Sequence, residues 1–358
     1  MFKVGGKNKV LQDISRQLQD VRAELGKLSA KNDELSKVVE TATARPRGIE
    51  LLRNLGVTPD RFVERWFESL PDGDLYEALI GGSEPLRGEP ARIGLRSSLC
   101  RQIHFSTDEY RYWIRAMARV PRMHRKDWEW FYISQALFEH DLLRPGKRGL
   151  VFAVGQEPLP SLFASLGCEI VATDQAPEQA VVSGWAATPM YSSQVDTLFD
   201  GRVCAKDQFD RLVSYRSVDM NAIDADLDGQ FDFCWSSCAF EHLGSLEHGL
   251  AFVENSIRTL APGGIAVHTT EFNLSSNDDT METPGCSIYR RRDIEDLVRR
   301  LEDAGHRVEP LDWTDGRGFA ETVVDLPPYK QSPHLRLNIA QYDCTSIALI
   351  IRKDDRVL

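Results

Sequence analysis

The chain has 358 residues, of which 42% are hydrophobic, 27% charged and 9% aromatic. This is a globular composition that excludes wholesale disorder and leaves room for about two domains. No run approaches the roughly 18 apolar residues of a membrane span, the N-terminus lacks the apolar stretch of a secretory signal, and a net charge of −11 argues against a nucleic-acid partner, which needs a basic face.

Seven cysteines are scattered without a CxxC pair, so neither a structural zinc site nor a disulfide framework is expected. A reduced, cytoplasmic compartment fits this usage.

Residues 1–44 carry a heptad seam. Leu11, Leu18, Leu25, Asn32 and Val39 fall at a, and Ile14, Val21, Leu28 and Leu35 at d. This predicts a coiled coil that makes a homo-oligomer, with Asn32 setting register. The alternative is a single amphipathic helix lying on the body.

Residues 45–147 read as a helical cap region. PDRFVERWFESL, STDEYRYWIRAMARV and KDWEWFYISQALFEHDLL have helical apolar spacing. Trp128, Trp130 and Phe131 either line a cleft or belong to the core.

Residues 148–358 alternate strands and helices, the pattern of a doubly wound parallel α/β sheet. Seven strands are expected, at 149–154, 168–174, within 211–220, at 231–237 and 264–272, after Gly305, and at 345–353. Helices are expected after Pro158, over 245–260, and from about 291 to Gly305. LAPGG (260–264) is expected as a turn.

In such a sheet a nucleotide-bearing ligand binds beyond the carboxyl ends of the strands. Gly155 in the first strand–helix turn and Asp174 at the end of the second strand suit that role. The glycine permits close approach, and the carboxylate can grip a ribose diol. Only one glycine stands where dinucleotide enzymes have three, and Ala153 and Glu157 take the neighbouring places.

The succession FAVGQEPL, ATD, SVDM, FDFCWSSCAFEHLGSLE, LAPGG and HTTEF closely resembles the class I S-adenosylmethionine-dependent methyltransferases, over about residues 145–275. More loosely, the whole chain is similar to bacterial methyltransferases associated with polysaccharide biosynthesis. The resemblance implies a seven-stranded Rossmann-like sheet, parallel except for its last strand, and S-adenosyl-L-methionine as cofactor. It implies cofactor contacts from Gly155, Gln156, Asp174, Gln175, Asp219, Met220, Ser236 and Ser237.

O-methylation of a sugar hydroxyl on a glycan or glycolipid is the expected reaction, with a small-molecule acceptor in the same class. A lipid-linked acceptor would bring the protein to the membrane periphery. A hydroxyl acceptor needs a base, and His242 and Glu271 follow two adjacent cleft strands. His268, mid-strand, is expected to be a core histidine. Asn273 and Arg290, at the two ends of the loop 273–292, are expected on the substrate side, the alternative being that its arginines pair with Asp293 and Glu295.

Related methyltransferases carry an E-x-x-E-H metal signature. Here Cys238 replaces its first carboxylate, so no metal ligand is assigned. Two readings stand against the main one: a metal-dependent small-molecule or RNA-end methyltransferase, and a non-catalytic scaffold.

Overall fold

A computed structural model describes residues 88–188, 190–329 and 332–355. The coiled coil expected over 1–44, and the helix expected in PDRFVERWFESL, lie outside the described residues. In chain order, β1 (Ser98–Leu99) is followed by the helices α1 (Gln102–Phe105), α2 (Asp108–Ala116) and α3 (Arg125–Glu139). Next come β2 (Arg148–Val151), α4 (Leu159–Ser165), β3 (Glu169–Asp174), α5 (Pro177–Ser183), α6 (Lys206–Leu212) and β4 (Val213–Ser217). Then follow β5 (Phe231–Ser237), α7 (Leu246–Ser256), β6 (Leu260–Asn273), a hairpin of β7 (Glu282–Thr283) and β8 (Cys286–Ser287), and α8 (Arg291–Asp303). The rest comprises β9 (Arg307–Val308), α9 (Phe319–Thr322), β10 (Val324–Asp325), β11 (Arg336–Ile339) and β12 (Tyr342–Arg352).

Among the described residues the main sheet has ten strands, in the order β10–β11–β12–β6–β5–β2–β3–β4, and β1 and β9 also pair with β12. The β4–β3–β2–β5–β6 run is parallel, and β12 is antiparallel to β6, β11, β1 and β9. The expected plan, parallel except for its last strand, is therefore present. The expectation of seven strands is corrected to ten by β1, β10 and β11, two to four residues each. LAPGG is not a free turn. It lies in β6, where the register with β5 shifts between Phe231 and Phe233.

Local chemistry explains the helix starts. Thr107 caps α2 by accepting from Tyr110 N at 3.1 Å, with Asp108 and Glu109 in the first turn. Ser245 caps α7 through His248 N at 3.2 Å. Asp293 caps α8 by accepting from Arg290 N at 2.9 Å, while its own amide donates to the Arg290 carbonyl at 3.1 Å.

Every residue of α3 from Asp127 to Leu137 is buried, because the helix lies on β5, β6 and β12 with α2 against it. Trp128 and Phe131 thus belong to the core. The described part of the region expected as a cap, residues 88–147, holds α1, α2 and α3, and it also supplies β1 to the sheet. Among the described residues no helix is long and apolar enough to cross a membrane.

Candidate functional site

A cavity of about 1030 Å³ opens at the carboxyl ends of β2, β3, β4 and β5. That is at the upper end of the roughly 300–1,000 Å³ typical of small-molecule sites, so it has room for a cofactor and an acceptor together.

One wall consists of strand-end turns. After β2 the chain passes through Ala153 (φ 50°) and Gly155 (φ 52°). A Cβ on Gly155 would stand 2.7 Å from the Met190 carbonyl oxygen, so only glycine fits there. Gly155 N donates to Asp174 Oδ2 at 3.0 Å, Gln175 N donates to Oδ1 at 2.9 Å, and Ser192 N lies 3.4 Å from Oδ2. Burial raises the Asp174 pKa while these amides pull it back. Asp219 accepts from Asn221 N at 2.8 Å and, with Met220, lines the floor.

On the facing side Lys126 and Cys238 line the cavity, with buried charge behind them. Lys126, from α3, reaches Glu129 Oε2 at 2.6 Å and Ser237 O at 3.1 Å. Arg125 pairs with Glu271 and donates to Ser346 Oγ at 3.1 Å. The Cys238 thiol, on a residue at φ 47°, donates to Glu129 Oε1 at 3.0 Å. Burial and the nearby carboxylates push that thiol well above its ordinary value. Glu271 is pushed up to about 7 by burial and by Glu241, against the pull of Arg125.

Of the residues expected at the site, Gly155, Gln156, Asp174, Gln175, Asp219, Met220, Ser237 and His242 line the cavity. Four do not. Ser236 points to the opposite face of β5, as strand alternation requires, and its hydroxyl lies 2.8 Å from His268 Nδ1. Glu271 is covered by Arg125. Asn273 ties its own loop, its Oδ1 accepting from Ser275 N at 2.8 Å and Ser276 N at 3.0 Å. Arg290 is spent on Asp293 at 2.8 Å and on the Asp278 carbonyl at 2.7 Å. The loop 273–292 reaches the cavity instead by its hairpin turn, at Pro284. His268 is the expected core histidine, lowered to about 3 by burial.

The His242 imidazole opens on the cavity and is held by its main-chain neighbour. Its Nδ1 lies 2.7 Å from the Gly285 carbonyl oxygen. A carbonyl can only accept, so Nδ1 carries the proton and Nε2 keeps a lone pair. Nε2 is 4.0 Å from Glu241 Oε1, a buried oxygen with no hydrogen-bond partner. The Trp185 ring packs edge-on, its centroid 4.8 Å from that of the imidazole.

Sequence reasoning missed Lys126 and Trp185 as lining residues, and of the three aromatics weighed for a cleft it is Trp130 that lines the cavity. The one available signal for Lys126 was a Lys–Glu pair three residues apart on a helix that is otherwise aromatic and aliphatic.

The residues present fit a cofactor carrying a diol and a positive charge, because Glu157, Asp174, Glu178 and Asp219 all line the space. Donor atoms of Cys238, Glu241 and Glu271 lie within 4.8 Å of one another, a spacing that could hold a metal ion. A hard cation prefers oxygen throughout, and the Arg125 guanidinium is already paired with Glu271 and 3.7 Å from the Cys238 sulfur.

No family model matches the chain, and no curated protein matches it. Solved structures that match it include the CurJ carbon methyltransferase, at 15% identity over 64% of this chain and 54% of that one, with a TM-score of 0.37. This chain thus spans about half the length of CurJ. A SAM-dependent methyltransferase from Aquifex aeolicus matches at 16% identity over 60% and 87%, with a TM-score of 0.33. The 1,6-didemethyltoxoflavin N1-methyltransferase of Burkholderia thailandensis, solved with S-adenosylhomocysteine, matches at 14% over 62% and 76%, with a TM-score of 0.33.

Proposed function

We propose that the chain transfers a methyl group from S-adenosylmethionine to a hydroxyl, with a sugar of a glycan or glycolipid intermediate as acceptor. One observation carries the reading. An imidazole with a fixed tautomer opens on the same cavity as the glycine turn and the strand-end carboxylates Asp174 and Asp219. The order of motifs along the chain supports it, and the resemblance to polysaccharide-associated enzymes supports the acceptor class.

Gly155, Asp174, Asp219 and Met220 would hold the adenosyl part, which brings with it a sulfonium methyl group open to attack by an oxygen nucleophile. His242 Nε2 takes the proton from the acceptor hydroxyl. The resulting imidazolium is held on one side by the Gly285 carbonyl and steadied on the other by the Glu241 carboxylate. Trp130 and Trp185 help to close the space against water, and the rigid strand ends align the reacting atoms.

The test is transfer of a labelled methyl group into free and lipid-linked glycans. His242→Ala should lose about 10²–10⁴-fold in turnover while still binding cofactor. A wild-type protein that binds the cofactor but methylates none of them would favour the scaffold reading. An unimpaired His242→Ala would remove the base.

A further inference from the structure

The turn after β2 holds a carboxylate where a cofactor-binding turn would hold a small residue. Glu157 is 6% exposed and lines the cavity. Its Oε1 accepts from Trp235 Nε1 at 2.6 Å and its Oε2 from Ser237 Oγ at 2.9 Å. A carboxylate offers about four lone-pair sites, so two donors leave it able to accept more. Among the described residues no Lys, Arg or His forms an ion pair with it.

On the other side of Ser237, Lys126 donates to the carbonyl of that same residue at 3.1 Å. One residue of β5 thus has a negative group fastened to its hydroxyl and a positive group to its carbonyl, both in the cavity wall. Lys126 spends two of its three donors on Glu129 and the Ser237 carbonyl, and a ligand that can meet both groups at once is a zwitterion, such as the α-amino acid tail of a sulfonium cofactor.

We propose that Glu157 is the subsite for the α-ammonium group of the cofactor, with Lys126 beside the α-carboxylate. The assignment rests on the methyltransferase reading.

It also accounts for an energetic oddity. An isolated buried carboxylate is unfavourable, and burial pushes Glu157 up to about 7 against the pull of its two donors and Lys126. An arriving ammonium supplies the missing positive charge, and the Glu157 proton leaves to solvent. The other charged or titratable groups around the cavity are Arg122, His124 and Lys126 from the α3 side, Asp174 at the end of β3, Glu178 on α5, Asp219 after β4, and Cys238 and His242 after β5.

The experiment is calorimetry on the full-length protein with two probes, S-adenosylhomocysteine and 5′-methylthioadenosine, which lacks the amino acid tail. Wild-type protein near pH 6.5 should release a proton on binding the first probe, seen as a buffer-dependent enthalpy, and none on binding the second. Glu157→Gln should weaken S-adenosylhomocysteine by about 10–100-fold, as for a hydrogen bond to a charged group. It should leave methylthioadenosine unchanged and abolish the proton release. Equal effects on both probes, or wild-type binding without proton release, would overturn the subsite while leaving the cofactor reading intact. Wild-type protein that binds neither probe would overturn the cofactor reading and the subsite with it. The proton measurement needs no variant, so a misfolded Glu157→Gln would not shelter the idea.

Discussion

Across the cavity, the wall made by the turns after β2, β3 and β4 is held by backbone amides, whereas the wall at Lys126, Ser237 and Cys238 is backed by charge buried between α3 and the strands β5, β6 and β12. In the first, Asp174 accepts from the amides of Gly155 and Gln175. In the second, Arg125 and Lys126 face Glu129, Glu241 and Glu271. Three carboxylates against two cations leave one negative charge over, and burial, together with the neighbouring Glu241 and Glu129, raises the pKa of Glu271. A wall of amides shapes a cofactor without responding to it. A wall backed by imperfectly balanced charge can respond through Lys126, the member of the cluster that lines the cavity.

The largest expected effect would break the charged wall. Arg125→Met should cost about 3–5 kcal/mol of stability, because it strands Glu271 without its cation and leaves Glu129 with Lys126 alone. Denaturant unfolding measures it, and a loss under about 1 kcal/mol would show that packing of α3, rather than charge, holds this side.

Next comes the amide wall. Asp174→Ala should cost about 1.5–3 kcal/mol of S-adenosylhomocysteine affinity. Calorimetry showing the same affinity as wild type would take Asp174 out of the site and leave it as a brace for the Gly155 turn.

The smallest effect sharpens the contrast between the walls through pH. Glu157 rises from 4.5 to about 7 in the fold, so the folded protein keeps a proton that the unfolded chain gives up. Its contribution to stability is full below the unfolded pKa and is lost as pH rises through about 7. Glu157→Gln lacks that loss, so it should gain on wild type by about 2 kcal/mol between roughly pH 5 and pH 8. Parallel stability curves for the two proteins would contradict the pKa shift.

The two walls also differ in how far the sequence discloses them. Gly155 and Asp174 are 19 residues apart, within one strand–helix–strand unit, where turn chemistry and strand ends can be read directly. The charged wall joins Glu129 to Cys238 across 109 residues and to Ser346 across 217. No local pattern announces such a meeting.

Ser236 was misplaced for a different reason. The strand was right, but of two adjacent serines only one can face the cavity, and composition does not fix the phase. Asn273 and Arg290 look free in the sequence because their partners, the amides of Ser275 and Ser276 and the Asp278 carbonyl, are main-chain groups. β1, β10 and β11 are too short to show a periodic pattern.

The position of β12 has a consequence for the order of assembly. It pairs Ala348 with Ser98 and runs alongside β6 over nine residue pairs, although it comes some 240 residues after β1. A nascent chain that has emerged only as far as β6 exposes an unpaired apolar edge there, and edges of that kind invite misassociation. Arg125 and Glu129 also lack Ser346 until β12 arrives, so the charges beneath α3 stay hydrated through most of synthesis. Contacts of such long range slow folding. The strand that closes the sheet is therefore the step at which the protein commits both its structure and its buried charges.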